Sequence, residues 1–226
     1  MSNTDSFIDE VNDEVRRDRL YGYLRRYGWI AVLAIVLIVG AAGFNEYRKA
    51  QNEAAAQALG DAMLDALNND APGDRAAALA EVRADTPESQ AVLALLQAGA
   101  FADAGDTEAA VAALEQVQNA ADAPLIYRQI ATFRALLLQS DTLDIETRRA
   151  GFDALAVPGV PFRLLAEEQL ALIDVETGDV AAALDRLRPL LDDAEASAGL
   201  QRRALQAIVA LGGTLAEDDT DAAAEN

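Results

Sequence analysis

The sequence predicts an all-α protein in which one N-terminal transmembrane helix precedes a domain built from helical repeats. Three observations predict this fold class. Alanine and leucine, both strong helix formers, are abundant, whereas aromatic residues make up only 5% of the 226 residues. One uninterrupted segment of 17 residues carries no charged or strongly polar side chain. Beyond that segment, turn signals recur at intervals of 32, 35 and 38 residues.

The leader that precedes the apolar segment has a helical pattern of its own. Phe7, Val11 and Val15 recur every four residues and form one apolar stripe. Ser6 is suited to cap the helix because its side chain can accept a hydrogen bond from a free backbone N–H of the first turn. We therefore predict a short amphipathic helix over residues 6–26 at the membrane surface. A docking site for a cytosolic partner is the alternative interpretation.

The apolar segment covers residues 28–44 and reads GWIAVLAIVLIVGAAGF. A helix of this length spans about 26 Å, which is sufficient to cross a thin bilayer. Tyr27 and Trp29 mark one border, and Phe44 and Tyr47 mark the other, as expected for aromatic rings at the level of the lipid headgroups. The segment is therefore predicted to be a single membrane span.

Basic residues predict the orientation of this span. Five arginines precede it (Arg16, Arg17, Arg19, Arg25 and Arg26), and only Arg48 and Lys49 follow it closely. The positive-inside rule then places the N-terminus in the cytoplasm and, in a bacterial inner membrane, the C-terminal part in the periplasm. A signal peptide cleaved near Val39-Gly40-Ala41 is the alternative. Six acidic residues in the leader and the lack of a polar spacer favour an uncleaved anchor.

Regular turns divide the remainder of the chain into helix pairs. Gly73-Asp74, Gly105-Asp106 and Gly178-Asp179 each follow a helical pattern, and Ser140-Asp141 stands where a fourth turn is due. The spacing is that of helix–turn–helix repeats stacked in an α-solenoid. We expect each glycine to end one helix in a left-handed conformation and each aspartate to cap the next. Because the third turn lacks glycine, that repeat is predicted to have diverged.

The residues that follow each glycine agree in register. The fourth and fifth positions are alanine pairs, namely Ala77-Ala78, Ala109-Ala110 and Ala182-Ala183. The sixth positions are Leu79, Val111 and Leu184, and the ninth are Val82, Leu114 and Leu187. We expect the alanines to let paired helices approach closely, and the larger aliphatic residues to fill the seam between them.

The helices predicted from these patterns cover most of the chain. The leader helix continues into a membrane helix at 28–50, which can run on toward 68, and the repeats contain helices at 74–84, 88–104, 106–119, 124–139, 144–155, 162–177, 180–194 and 198–212. Pro72, Pro87, Pro124 and Pro161 fall at predicted helix starts, whereas Pro189 is expected to break its helix. The segment Gly199–Leu211 is predicted to cap the stack with a polar outer face. The acidic tail, residues 216–226, is predicted to be disordered.

Composition excludes several classes of function. The chain contains no cysteine and no histidine, which removes thiolate chemistry, the usual general base and the commonest metal ligand. We predict a non-enzyme with no catalytic, cofactor-binding or metal-binding residues. Residues 45–226 carry 32 acidic against 13 basic residues, a net charge of −19, which disfavours nucleic acid as a partner. This charge serves solubility or attracts basic segments of a partner.

Two sets of side chains are candidates for contacts with a partner. Arg128 and Arg134, or Arg148 and Arg149, are candidates to line a groove, with a solvated helix face as the competing interpretation. The aromatic residues of the repeats are predicted to belong to the core; they are Phe101, Tyr127, Phe133, Phe152 and Phe162. A repeat stack of this type binds extended peptides or a partner's helix on a curved surface.

The ordered combination of these features resembles a known family. The leader FIDEVNDEVRRDRLYGYLRRYGW, one membrane helix, and the repeat sequences AGDTEAAVAALEQV and TGDVAAALDRLRPL together resemble the YfgM family, in its alphaproteobacterial form. The resemblance extends over nearly the whole chain except the acidic tail. It implies a tetratricopeptide-like periplasmic domain and an ancillary role at the SecYEG translocon, with the periplasmic chaperone PpiD as a partner. It supplies no catalytic residues.

The resemblance and the patterns together define four segments and three competing functions. The segments are a cytoplasmic leader (1–27), the transmembrane helix (28–44), a periplasmic tetratricopeptide-like repeat domain (45–215) and the acidic tail (216–226). The leading hypothesis is a translocon-associated protein that assists the chaperoning of secreted proteins. The alternatives are a structural accessory subunit of another inner-membrane complex and a cleaved, soluble periplasmic adaptor.

Overall fold

The computed structural model describes the backbone of residues 3–213 and the side chains of residues 25–213 apart from Ala31. It confirms the all-α prediction, because these residues form helices and no strand. The helices are α1 (Asn3–Leu67), α2 (Pro72–Glu81), α3 (Pro87–Asp103), α4 (Thr107–Asn119), α5 (Leu125–Leu138), α6 (Ile145–Asp153), α7 (Arg163–Glu176), α8 (Val180–Leu187), α9 (Pro189–Asp192) and α10 (Ala198–Ala210). The acidic tail lies outside the described residues.

The chain divides into two units after Gly60, and the described part of the first unit belongs entirely to helix α1, whose last residues lie in the second unit. The predicted leader helix and membrane helix are parts of this one helix, which continues to Leu67. Its described part contains a stretch long and apolar enough to cross a membrane. The aliphatic side chains of that stretch are exposed, with values of 45% for Ile30 and 69% for Ile38. A surface this apolar requires lipid or another protein to cover it.

The second unit packs its helices in sequence order, and its core changes character along the chain. Helices α3, α4 and α5 enclose a core made mainly of alanine, with Leu114 and Val117 as its larger members. From the end of α5 onward, leucine and aromatic side chains form most of the core, as at Leu136, Phe152 and Leu170. The alanine-rich part therefore has closely approaching helices, whereas the later part is filled by large side chains.

Two of the three predicted glycine–aspartate turns have the expected geometry. Gly105 and Gly178 have φ angles of +79° and +82°, which is the left-handed conformation that favours glycine. Asp106 and Asp179 each accept a hydrogen bond of 3.0 Å from the backbone N–H three residues later. The prediction for Gly73 is wrong, since helix α2 begins at the preceding proline and places this glycine inside its first turn.

The different start of α2 also changes the register of the first repeat. Helices α4 and α8 begin two residues after their glycines, and the alanine at the fifth position is fully buried in both (Ala110 and Ala183). In α2 the fully buried residue is instead Leu79, at the sixth position. At that position Val111 and Leu184 are half-buried, whereas Leu114 and Leu187, at the ninth position, are buried and take the predicted role in α4 and α8.

Proline positions agree with the prediction, whereas the outer face of the last helix does not. Helix α8 ends at Leu187 and α9 starts at Pro189, which confirms the break predicted there. Helix α10 was expected to present a polar outer face, but Val209 is 63% exposed and Leu205 is 37% exposed. The end of the repeat stack therefore carries exposed aliphatic side chains.

A glycine in α6 permits close contact between two helices. A Cβ atom added at Gly151 would lie 2.7 and 2.8 Å from the two Cδ atoms of the buried Leu136 on α5. Gly151→Ala is therefore expected to lower the free energy of unfolding by about 1–2 kcal/mol, because overpacking outweighs the gain in helix propensity. Urea unfolding followed by circular dichroism measures this difference.

The matched control for this prediction is Gly73→Ala in α2, where an added Cβ meets no atom within 4 Å. That substitution is expected to leave the free energy of unfolding unchanged or to raise it by up to about 0.5 kcal/mol. A Gly151→Ala variant as stable as the control would contradict the close packing of α5 against α6.

Candidate protein-interaction surface

Helix α7 is the centre of a network of ion pairs that joins the helices on either side of it. Its partners are four arginines on three other helices, namely Arg148 and Arg149 on α6, Arg186 on α8 and Arg203 on α10. Such contacts stabilise a domain chiefly when both partners are hydrogen-bonded and shielded from water. The network therefore positions α6, α7, α8 and α10 relative to one another.

Asp174 holds the most central position in this network. It is only 4% exposed, and its two carboxylate oxygens accept hydrogen bonds from Arg149 Nη1 at 2.6 Å and from Arg186 Nε at 2.9 Å. Burial by itself lowers the pKa of Arg186, but its hydrogen bonds to Glu167 and Asp174 raise that pKa above its ordinary value. The arginine consequently stays charged and compensates the buried carboxylate.

A second buried carboxylate joins α7 to α10. Glu168 is 8% exposed and accepts two hydrogen bonds from Arg203, at 2.6 and 2.7 Å. This bidentate geometry fixes direction as well as distance. The last helix is therefore attached to the stack by a polar clamp in addition to its apolar contacts.

Three of the four arginines considered as groove residues have structural contacts instead, namely Arg134, Arg148 and Arg149. Arg148 is 7% exposed and bonds to Glu176 at 2.6 Å, so the solvated-face interpretation is wrong for it. Arg149 bonds to Asp174, and Arg134 donates to the backbone carbonyl oxygen of Leu95 at 3.1 Å. Arg128 is half-buried, and its Nε atom has no hydrogen-bond partner among the described atoms.

The buried acids of α7 were not predicted from the sequence, although a signal for them exists. Leu164, Glu168 and Ala171 follow one another at spacings of four and three residues, which places all three on the buried face. Asp174 continues the same spacing. A carboxylate on the apolar face of an amphipathic helix indicates a buried ion pair when arginines occur on neighbouring helices.

The aromatic residues of the repeats lie in hydrophobic contacts, as predicted. Phe152 is 3% exposed, and its ring meets that of Phe133 edge-on with centroids 5.7 Å apart. Phe162 stacks on the other side of Phe133, also at 5.7 Å. Tyr127 packs against the alanine core, and Phe101 is half-buried. These rings hold α5, α6 and the start of α7 together.

Exposed aliphatic side chains on α5 and α7 form the best candidate for contact with a partner. Ile126, Ile130 and Leu137 follow one another at spacings of four and seven residues, which places them on one face of α5. The outer two are each 39% exposed. On α7, Leu172 and Val175 are 47% and 37% exposed, which adds a second apolar helix face. Such faces bind apolar side chains of another protein.

The surface around these faces is strongly acidic. Residues 61–213 carry 25 acidic side chains against 11 arginines. Seven of those arginines lie within 4.0 Å of a carboxylate; they are Arg75, Arg148, Arg149, Arg163, Arg186, Arg188 and Arg203. Most of the positive charge is thus neutralised locally, whereas many carboxylates face solvent. A neutral or basic polypeptide fits this surface better than a polyanion.

The ion pair between Asp193 and Arg163 predicts that the stability of the domain depends on pH. Hydrogen bonding from Arg163, and then from the backbone N–H of Glu195, holds the pKa of Asp193 below its ordinary value of 3.8. A lowered pKa in the folded state contributes stability above the unfolded value and loses it as pH falls through the folded value. Asp193→Asn is therefore expected to be less stable than the natural chain at about pH 6, with the difference shrinking as pH falls below the ordinary value of 3.8.

Urea unfolding of both proteins across that pH range tests this prediction. Asp122→Asn removes the same charge at an exposed loop position and controls for the change in net charge. A stability difference between Asp193→Asn and the natural chain that stays constant from about pH 6 to about pH 3 would contradict a stabilising pair with Arg163.

Across the part of the chain whose side chains are described, no three carboxylates are grouped so that they could hold a metal ion. The described arrangement supplies apolar helix faces within an acidic surface, together with buried ion pairs that link the helices of the later repeats. Such faces are suited to contact with another polypeptide.

Comparison with known families agrees with a role in binding other proteins. A family model described as a tetratricopeptide repeat-like domain matches residues 22–150, which is more than half of the chain. No curated protein and no solved structure matches the chain significantly. Helices α7 and α8 repeat the glycine–aspartate turn geometry of α3 and α4, although they lie beyond the matched residues. The repeat array thus extends past residue 150.

Proposed function

The chain belongs to the tetratricopeptide repeat-like domain family, and from that premise we propose that it acts as a membrane-anchored interaction subunit beside the SecYEG translocon. Domains of this kind bind other proteins and are typically non-catalytic. In the proposed role, the domain assists a periplasmic chaperone of the PpiD type with polypeptides that emerge from the channel. The resemblance to the YfgM family supports this more specific assignment.

The observation that carries the proposal is the extent of the family match. One family model covers both the apolar stretch of α1 and the repeat helices α2 to α5. A membrane span followed at once by interaction repeats suits a protein that works at the membrane surface. Helix α1 also passes without a break through Val39-Gly40-Ala41, which favours an anchor over a cleaved signal peptide, since it offers no extended segment to a peptidase.

The proposed arrangement follows the predicted segments. Residues 1–27 are cytoplasmic, residues 28–44 cross the inner membrane, and residues 45–215 lie in the periplasm with the acidic tail 216–226 behind them. The five arginines before the span and the two basic residues after it support this orientation. An acidic interaction domain also repels the anionic headgroups beside it, which keeps its surface available to protein partners.

Photo-crosslinking in intact membranes tests the proposal. A photoreactive residue at Leu137 or Leu172 is expected to crosslink to SecYEG subunits and to a periplasmic chaperone, because these positions lie on the exposed apolar faces of α5 and α7. The same residue at the exposed Gln116 of α4 serves as the control and is expected to give little product. Stoichiometric capture of one unrelated membrane complex would refute the translocon role and favour a structural accessory subunit.

A further inference from the structure

Two neighbouring clefts lie beside α7, outside the residues matched by the family model. The first has a volume of about 350 Å³ and lies between the connector before α7 and the start of α10. Five apolar residues line it, namely Val160, Pro161, Leu164, Leu165 and Leu200, with Arg163, Glu195, Ser197 and Gly159 completing the wall. This volume falls within the range of sites that accommodate one or two side chains of a ligand.

The second cleft is smaller and more polar. It has a volume of about 200 Å³ and shares Arg163 and Leu164 with the first cleft. Its remaining walls carry three carboxylates and one arginine together with two apolar residues; they are Glu167, Asp185, Asp193, Arg186, Pro189 and Leu190. The two clefts adjoin at Arg163 and Leu164, which line both of them.

The charges of the clefts favour a basic ligand. Both arginines are already occupied, since Arg163 bonds to Asp193 at 2.7 Å and Arg186 bonds to Glu167 at 2.8 Å. Four carboxylates thus face two arginines, which leaves an excess of two negative charges. Asp185 and Glu195 are the most open of these groups, with side chains 80% and 78% exposed. Glu195 already accepts a hydrogen bond from Arg163 at 3.0 Å, and Asp185 lies 3.7 Å from Arg188, but the exposure of both carboxylates leaves further acceptor positions open to a cationic side chain of a ligand.

We infer that the two clefts form one binding groove for an extended polypeptide segment in which an apolar residue stands close to a lysine or arginine. The apolar side chain enters the first cleft, against Leu164 and Leu200, and the basic side chain lies against Asp185 and Glu195. This inference rests on the proposed interaction function and specifies the class of segment that the later repeats recognise.

Binding of short fluorescent peptides to the full chain in lipid nanodiscs tests the groove. The probe is a glycine–serine peptide that carries one leucine and one lysine two positions apart. Replacing the leucine by serine, or the lysine by glutamate, is expected to weaken binding at least about tenfold, as measured by fluorescence anisotropy. A photoreactive residue at the exposed Pro161 is expected to crosslink to the leucine–lysine peptide.

Two matched charge reversals locate the site on the protein. Asp185→Lys with Glu195→Lys is expected to weaken binding of the leucine–lysine peptide at least about tenfold. Glu115→Lys with Asp122→Lys makes the same change in net charge at exposed positions outside the clefts and is expected to change it less than about twofold. If both double variants lost the same amount of peptide binding, general charge attraction would explain the interaction. The proposed groove would then be wrong.

The proposed groove and the proposed translocon role can be refuted independently of each other. Absence of peptide binding to the natural chain would overturn the groove, whereas crosslinking from Leu137 to SecYEG would still stand. A second outcome is that Asp185→Lys with Glu195→Lys weakens peptide binding, but neither Leu137 nor Leu172 crosslinks to SecYEG. That outcome would support the groove and refute the translocon role. Circular dichroism of each variant establishes that a loss of binding is not a loss of fold.

Discussion

Asp174→Ala is expected to lower the free energy of unfolding of the helical domain by about 3 kcal/mol. The carboxylate is buried and accepts hydrogen bonds from arginines on α6 and α8, so its removal leaves two guanidinium groups in a partly dry environment. Arg186 retains Glu167, whereas Arg149 loses the partner that holds it. Because both arginines are about one-third exposed, water relieves part of the cost.

Asp185→Ala on α8 provides the matched control. Its side chain is 80% exposed and lies 3.7 Å from Arg188, so its loss is expected to change stability by no more than about 0.5 kcal/mol. Urea unfolding of the two variants under the same conditions gives the comparison. Equal stability of Asp174→Ala and Asp185→Ala would mean that the ion pairs around α7 contribute nothing to the fold.

The second large effect concerns the apolar stretch of α1. Ile35→Arg combined with Ile38→Arg is expected to raise the free energy of membrane insertion by about 6 kcal/mol, because each arginine replaces an aliphatic residue near the middle of the span. Both natural side chains are more than 60% exposed, as a lipid-facing residue would be. The variant is therefore expected to disappear from the alkali-resistant membrane fraction.

The control for membrane insertion is Ala54→Arg combined with Ala58→Arg, which adds the same charges to an exposed part of α1 beyond the span. This variant is expected to remain in the membrane fraction with the natural chain. If both double variants remained membrane-bound, residues 28–44 would not be the element that anchors the protein.

Local patterns predicted the helices and most of their ends. The turns at Gly105 and Gly178 were identified because a left-handed glycine followed by a capping aspartate is determined by adjacent residues. The break at Pro189 has an equally local cause, since proline provides no N–H for the preceding turn. The same pattern failed at Gly73, because Pro72 starts the helix first.

Contacts between distant residues were not predictable in the same way. The pairing of Glu168 with Arg203 joins residues 35 positions apart, and nothing in either local pattern selects the other. The exposure of side chains on α10 also depends on which helices pack against it. Val209 is apolar, as core residues are, but it faces solvent. The two clefts beside α7 arise from tertiary packing, so composition gave no indication of them.

Cysteine accessibility in spheroplasts tests the proposed membrane topology most directly, because the proposed function requires an anchored domain on the periplasmic side. The natural chain contains no cysteine, so Ser6→Cys in the leader and Ser140→Cys in the exposed turn before α6 each introduce a unique thiol. With a membrane-impermeant maleimide, we expect labelling at position 140 in intact spheroplasts and labelling at position 6 only after lysis. Labelling at position 6 before lysis, or release of the domain into the medium, would contradict this topology.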